Sequence, residues 1–168
     1  DLLIRNGHVL DGTGRSAFAA DIAVRDGRIL AIGDLAHLRA TRTLDAKQHI
    51  VAPGFVDVHA HIEGNLFANR SANNYVHDGV TTVVTGNCGG SADSLAAFFA
   101  RIEAGGGSSI NVASLVGHNT VRRQVLGLAH RDATADEQRR MEVLVEQAMK
   151  EGAVGLSTGL IYLPGLYS

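Results

Sequence analysis

Apolar and polar positions alternate in short runs over the first fifty residues, then give way to a longer strand–helix rhythm. Leu2-Leu3-Ile4 and His8-Val9-Leu10 lead into the turn dipeptide Asp11-Gly12. Asp21-Ile22-Ala23-Val24 and Arg28-Ile29-Leu30-Ala31-Ile32 flank Asp26-Gly27, which predicts a hairpin. A polar, helix-compatible piece follows Asp34 and leads to a last short strand at Thr43-Leu44-Asp45-Ala46. Residues 1–50 thus read as a small β module with no catalytic grouping.

From residue 51 the period changes. The apolar run 50–58 predicts a buried strand closing on His59-Ala60-His61. Residues 69–77 are expected to be helical, with Gly79 as the C′ stop. The β-branched run 80–85 predicts a buried strand entering Gly86-Asn87-Cys88-Gly89-Gly90. A helix is expected from Ser91, carrying Leu95, Phe98, Phe99 and Ile102 at helical spacing, and glycines 105–107 read as a linker. Residues 110–116 predict a third strand, ending in Gly117-His118-Asn119. Thr134-Ala-Asp-Glu137 spells a capping box before a helix with Met141, Leu144, Val145 and Ala148 on one face, stopping near Gly152. Residues 153–157 predict a fourth strand, leading into 158–165.

Repeated strand–helix units imply a parallel sheet with right-handed crossovers. Polar residues gather where each strand ends: His59 and His61, Cys88, His118, then Ser157 to Tyr162. Both a (β/α)8 barrel and a doubly wound open sheet place their sites there. A barrel needs eight strands and about 250 residues, whereas four units are visible. The expectation is therefore that residues 51–168 are the N-terminal half of a barrel completed by the C-terminal remainder of the same polypeptide. Alone, half a barrel would expose apolar strand edges.

Composition narrows the classes. A net charge of −2 gives no reason to expect nucleic acid or an anionic membrane surface as partner. No apolar run approaches the roughly 20 residues of a membrane span, and the start lacks a signal-peptide pattern. One cysteine, Cys88, allows no internal disulfide, so a reduced, cytoplasmic setting is the default expectation.

The chemistry centres on His59 and His61. Alternation sends residues i and i+2 to one face, so both imidazoles are expected to point together at a strand end. Paired neutral imidazoles suit zinc. Cys88 ends the next strand, where it is either a small buried thiol or a third metal ligand. The run Pro53-Gly-Phe-Val-Asp-Val-His-Ala-His61 resembles the first barrel strand of the amidohydrolase superfamily. Gly-Asn-Cys-Gly89 resembles the cysteine-ligand segment of its D-aminoacylase (N-acyl-D-amino-acid deacylase) branch. The opening Leu-Leu-Ile-Arg-Asn-Gly, the stretch Gly79-Val-Thr-Thr-Val-Val-Thr-Gly-Asn-Cys-Gly89, Asn111 to His118, and Gly152 to Gly165 resemble that branch in the same order.

The resemblance implies a (β/α)8 barrel preceded by a share of a β-sandwich. It further implies zinc, one ion or two, held by His59, His61 and Cys88, with further histidines, an aspartate and the general base supplied from outside residues 1–168. Tyr162 and Ser157 fall where substrate contacts are expected. Glu63 stands where the family usually carries aspartate and is either a support or weak ligand of the metal site or a solvated loop charge. His118, read from its place at the strand-end rim, either lines the pocket, hydrogen-bonds a ligand from behind, or is a buried, satisfied histidine. The implied reaction is hydrolysis of the amide of an N-acyl-D-amino acid, a small-molecule substrate, by zinc-activated water. Cyclic-amide hydrolysis of the dihydroorotase or hydantoinase kind, or action on peptides, is the alternative. Hydantoinase-like enzymes bridge their metals with a fourth-strand lysine, and 152–160 contains none. A metal-free scaffold barrel is the remaining class.

Overall fold

A computed structural model describes residues 1–168, which divide into two units, Asp1–Pro53 and Gly54–Ser168. In the first, β1 (Leu2–Val9), β2 (Phe18–Arg25), β3 (Arg28–Gly33), β4 (Arg42–Asp45) and β5 (Ile50–Val51) form one mixed sheet. The order is β3-β2-β1-β4, with β5 also pairing β1. The hairpin between β2 and β3 turns at Asp26 and Gly27, both at positive φ, as a two-residue I′ connection requires. The two apolar runs expected at 2–4 and 8–10 form one strand, because a bulge with Asn6 at φ 56 carries the pairing across the gap. No helix follows Asp34; a single turn closes there, Leu38 N–H to the Leu35 carbonyl at 2.9 Å. Leu3, Ala23 and Leu35 form this unit's buried core.

The second unit is mixed α/β. Strands β6 (Phe55–Asp57), β7 (Val80–Thr85) and β8 (Asn111–Ser114) pair in parallel in that order, and β9 (Val116–Gly117) pairs in parallel with β10 (Leu156–Ser157). Between them run α1 (Asn73–His77), α2 (Leu95–Ala104), α3 (His118–Leu126) and α4 (Ala135–Lys150). Helix α1 lies between β6 and β7 in the chain, α2 between β7 and β8, and α3 and α4 between β9 and β10. No helix is long and apolar enough to cross a membrane.

Several expectations are corrected. The run 50–58 is not one buried strand. Pro53, without an amide donor, and Gly54 divide it into β5 and β6; Phe55 and Val56 are exposed because β6 has a single sheet neighbour, and Val58, past its end, is exposed as well. The helix expected over 69–77 forms only at its end, with Gly79 as its C′ glycine. The helix expected from Ser91 starts at Leu95, because the Ser94 hydroxyl accepts the Ala97 N–H. The third strand breaks at Leu115, and the fourth shortens to β10. His118, expected at the end of the third strand, opens α3, whose buried face is largely polar. The Thr134–Glu137 capping box stands as expected.

Two cores position the strand ends. Val83, Phe98, Ile102 and Ile110 pack with Ala60, Ile62 and Leu66, while Leu95, Val116, Val121, Met141 and Ala148 pack together elsewhere in the unit. Each fully buried side chain of this size contributes about 1.5–3 kcal/mol of transfer free energy. Ala60, Ile62 and Leu66, just after β6, thus pack on an apolar core.

Candidate metal centre

The two histidines lie just past β6, in a bend pinned at both ends. Asp57 Oδ1 accepts the His59 N–H at 3.0 Å, and the Ala60 N–H donates to the Val84 carbonyl at 3.0 Å. Ala60 and Ile62 are buried, so the alternate residues His59 and His61 turn outward. Their ring centroids lie 5.4 Å apart at an interplanar angle of 70°.

Cys88 enters from the loop after β7. It is a non-glycine residue in the left-handed region, φ 55, a conformation that costs an L-residue about 1–2 kcal/mol. Gly86, at φ 79, makes the loop sterically feasible, since a Cβ there would overlap the Leu115 carbonyl. The result sets Cys88 Sγ 3.3 Å from His59 Nε2. One ligand atom from each of His59, His61 and Cys88 lies within 4.8 Å of the others. Tetrahedral zinc with ordinary bond lengths separates such atoms by roughly 3.3–3.6 Å. The triad therefore fits zinc after an adjustment of about 1 Å on its open side. Two imidazoles and a thiolate are a zinc donor set, and three ligands leave a coordination position free.

The residues behind the triad are polar and satisfied. Thr85, wholly buried, places its hydroxyl 2.6 Å from Glu63 Oε1, and the Gly86 N–H donates to the same oxygen at 2.8 Å. Glu63 thus braces the base of the Cys88 loop. Asn87 Nδ2 donates to the Val84 carbonyl at 2.9 Å. Beside His61 lies a cavity of about 410 Å³, lined also by Asn65, Asn69, Asn74 and Tyr75. Burial raises the Tyr75 phenol pKa above its ordinary value, with Asp57 and Glu63 adding to the shift.

The other expected site residues are placed as follows. Ser157 Oγ hydrogen-bonds to the Gly86 carbonyl and accepts the Gly89 N–H at 3.0 Å. Tyr162 is 53% exposed, in a turn whose Tyr162 N–H donates to the Gly159 carbonyl. His118 lines a different cavity, about 430 Å³, with Val121, Met141, Glu142 and Leu156 and none of the triad. Its Nδ1 has no hydrogen-bond partner, and burial, aided by Arg122, lowers its pKa. Thr85, Asn87 and Asn119 were not among the expected site residues. Thr85 was discoverable, as the polar end of an otherwise apolar strand; Asn119 carried no signal.

The sequence signature of the amidohydrolase family matches residues 42–167. A D-aminoacylase from Alcaligenes xylosoxydans xylosoxydans is 38% identical over 186 residues, covering 98% of this chain and 38% of the relative. An N-acyl-D-glutamate deacylase from the same organism is 40% identical over 188 residues, with 98% and 38% covered. The crystal structure of an N-acyl-D-glutamate deacylase from Bordetella bronchiseptica is complexed with zinc and a phosphonate inhibitor that mimics the tetrahedral intermediate. It matches with a TM-score of 0.94 at 38% identity, covering 100% of this chain and 40% of that one. The chain spans about two fifths of the length of these relatives.

Proposed function

This chain belongs to the amidohydrolase family, and from that premise we propose that it carries the first metal ligands of a hydrolase that cleaves the amide of N-acyl-D-amino acids. The observation that carries the reading is the convergence of His59, His61 and Cys88 to within 4.8 Å at the ends of adjacent parallel strands. Residues 51–168 would form the first half of a (β/α)8 barrel and residues 1–50 part of a β-sandwich. The parallel order β6-β7-β8 and the β9-β10 pair support that architecture. The similarity to a zinc-complexed deacylase supports zinc as the metal, one ion or two.

His59 and His61 would bind zinc as neutral imidazoles, and Cys88 as a thiolate. Bound there, zinc supplies Lewis acidity toward an amide carbonyl and brings the pKa of water toward neutrality. The thiolate's negative charge tempers that acidity. Glu63 keeps the ligand loop in register through Thr85 and Gly86. Tyr162 presents its phenol as a donor to the substrate's carboxylate or polarised carbonyl. The general base and the remaining ligands would come from the rest of the same polypeptide.

The test is hydrolysis of a panel of N-acyl-D- and N-acyl-L-amino acids by the full-length protein, before and after chelation and zinc restoration. Zinc-dependent release of D-amino acids is expected. Metal-independent turnover, or cleavage of cyclic amides alone, would overturn the proposal.

A further inference from the structure

The Cys88 loop is held from outside its own strand–helix unit. One atom, Ser157 Oγ at the end of β10, serves both flanks: it donates to the Gly86 carbonyl before Cys88 and accepts the Gly89 N–H after it, at 3.0 Å. Asn119, buried in the first turn of α3, adds a second clamp. Its backbone N–H donates to the Gly89 carbonyl at 2.8 Å, and its Nδ2 donates to the Gly159 carbonyl at 3.2 Å and reaches the Cys88 carbonyl at 3.5 Å. The 158–165 segment lies directly on the loop, and a Cβ at Gly159 would overlap the Cys88 carbonyl. Cys88 sits at φ 55, a conformation that persists only where the surroundings enforce it.

We propose that Ser157 and Asn119 are positioning residues for the metal centre, fixing the Cys88 loop so that its sulfur meets His59, and tying that loop to the segment bearing Tyr162. The proposal rests on the reading of His59, His61 and Cys88 as a zinc site. It also gives Ser157 a role different from the substrate contact expected from sequence, because its single hydroxyl proton is committed to the Gly86 carbonyl. Loss of a group that orients a metal ligand typically weakens metal binding about 10- to 100-fold.

The experiment uses full-length protein loaded with cobalt(II), whose thiolate-to-metal charge-transfer absorption reports Cys88 ligation; zinc competition gives affinity. Wild type is expected to show the band, and Cys88→Ala to lack it. Ser157→Ala and Asn119→Ala should keep the far-UV circular dichroism of wild type, show a diminished band, and bind zinc about 10- to 100-fold more weakly. Ser157→Thr, which retains the hydroxyl, should recover both. Wild-type affinity and band in folded Ser157→Ala would overturn the positioning role while leaving the zinc reading intact. A wild type without the band would overturn the zinc reading, and the positioning role with it. Should Asn119→Ala fail to fold, the Ser157→Ala and Ser157→Thr pair decides alone.

Discussion

Replacing Thr85 with valine tests the bracing of the ligand loop with almost no change of shape. Thr85 is wholly buried, so an isosteric Val leaves no cavity and isolates the hydroxyl. That hydroxyl lies 2.6 Å from Glu63 Oε1 and accepts the Ile62 N–H at 3.4 Å. A hydrogen bond to an ionised partner contributes about 1.5–3 kcal/mol net, and the long Ile62 bond adds at most about 0.5 kcal/mol. Glu63 keeps the Gly86 N–H at 2.8 Å, and the Ala60 carbonyl keeps Asn87 Nδ2 at 3.4 Å, which limits the damage. The expected loss is therefore about 1.5–3 kcal/mol. In urea unfolding followed by circular dichroism, this lowers the midpoint by about 1 M at unchanged slope. A cycle with Glu63→Ala, which removes the acceptor, should return a coupling energy of about 1 kcal/mol or more. A Thr85→Val loss below about 0.5 kcal/mol, or zero coupling, would refute the bracing argument.

In the full-length protein, Tyr162→Phe should lower kcat/KM on the proposed N-acyl-D-amino acid substrates by about 10-fold or more with zinc content unchanged; wild-type kinetics would remove its assigned role. His118 has a folded-state pKa held below 6.5 by burial and Arg122, so the unfolded chain protonates first and stability falls as pH drops below about 6.5. His118→Gln should flatten stability between pH 7 and 5, His59 and His61 being common to both proteins; identical pH curves would contradict the burial argument. Arg131 and the Thr134 N–H hold the Glu137 carboxyl down to about 2. Its stabilising contribution is present above pH 4.5 and lost as pH falls toward 2. Thr134→Ala should cost about 1 kcal/mol at neutral pH through the lost cap, measured by chemical unfolding, and no loss would show that the cap is not coupled to folding.

Features encoded within a few residues were legible in the sequence. The Asp26-Gly27 hairpin, the β-branched strand over 80–85 and the Thr134–Glu137 box each carry a local signal, and the structure contains all three. Helix α3 was hidden for a physical reason. Periodicity is read from apolar residues, and the buried face of α3 is built from Asn119, Thr120 and Arg122 alongside one valine. Arg122 is almost wholly buried because its guanidinium donates to the Ala129, Arg131 and Tyr167 carbonyls, a partnership no local pattern announces. The site divides the same way. His59, His61 and Cys88 stood out by residue type and strand-end position. The clamp of Ser157 and Asn119 on the Cys88 loop joins segments about 30 to 70 residues apart through backbone groups that every residue carries.

Elemental analysis of the full-length protein before and after Cys88→Ala tests the central claim most directly. The account predicts stoichiometric zinc in the wild type and a marked fall in the variant, with the fold retained. A well-folded wild type without zinc, or a variant that holds zinc as fully as the wild type, would contradict the assignment of His59, His61 and Cys88 as the metal centre.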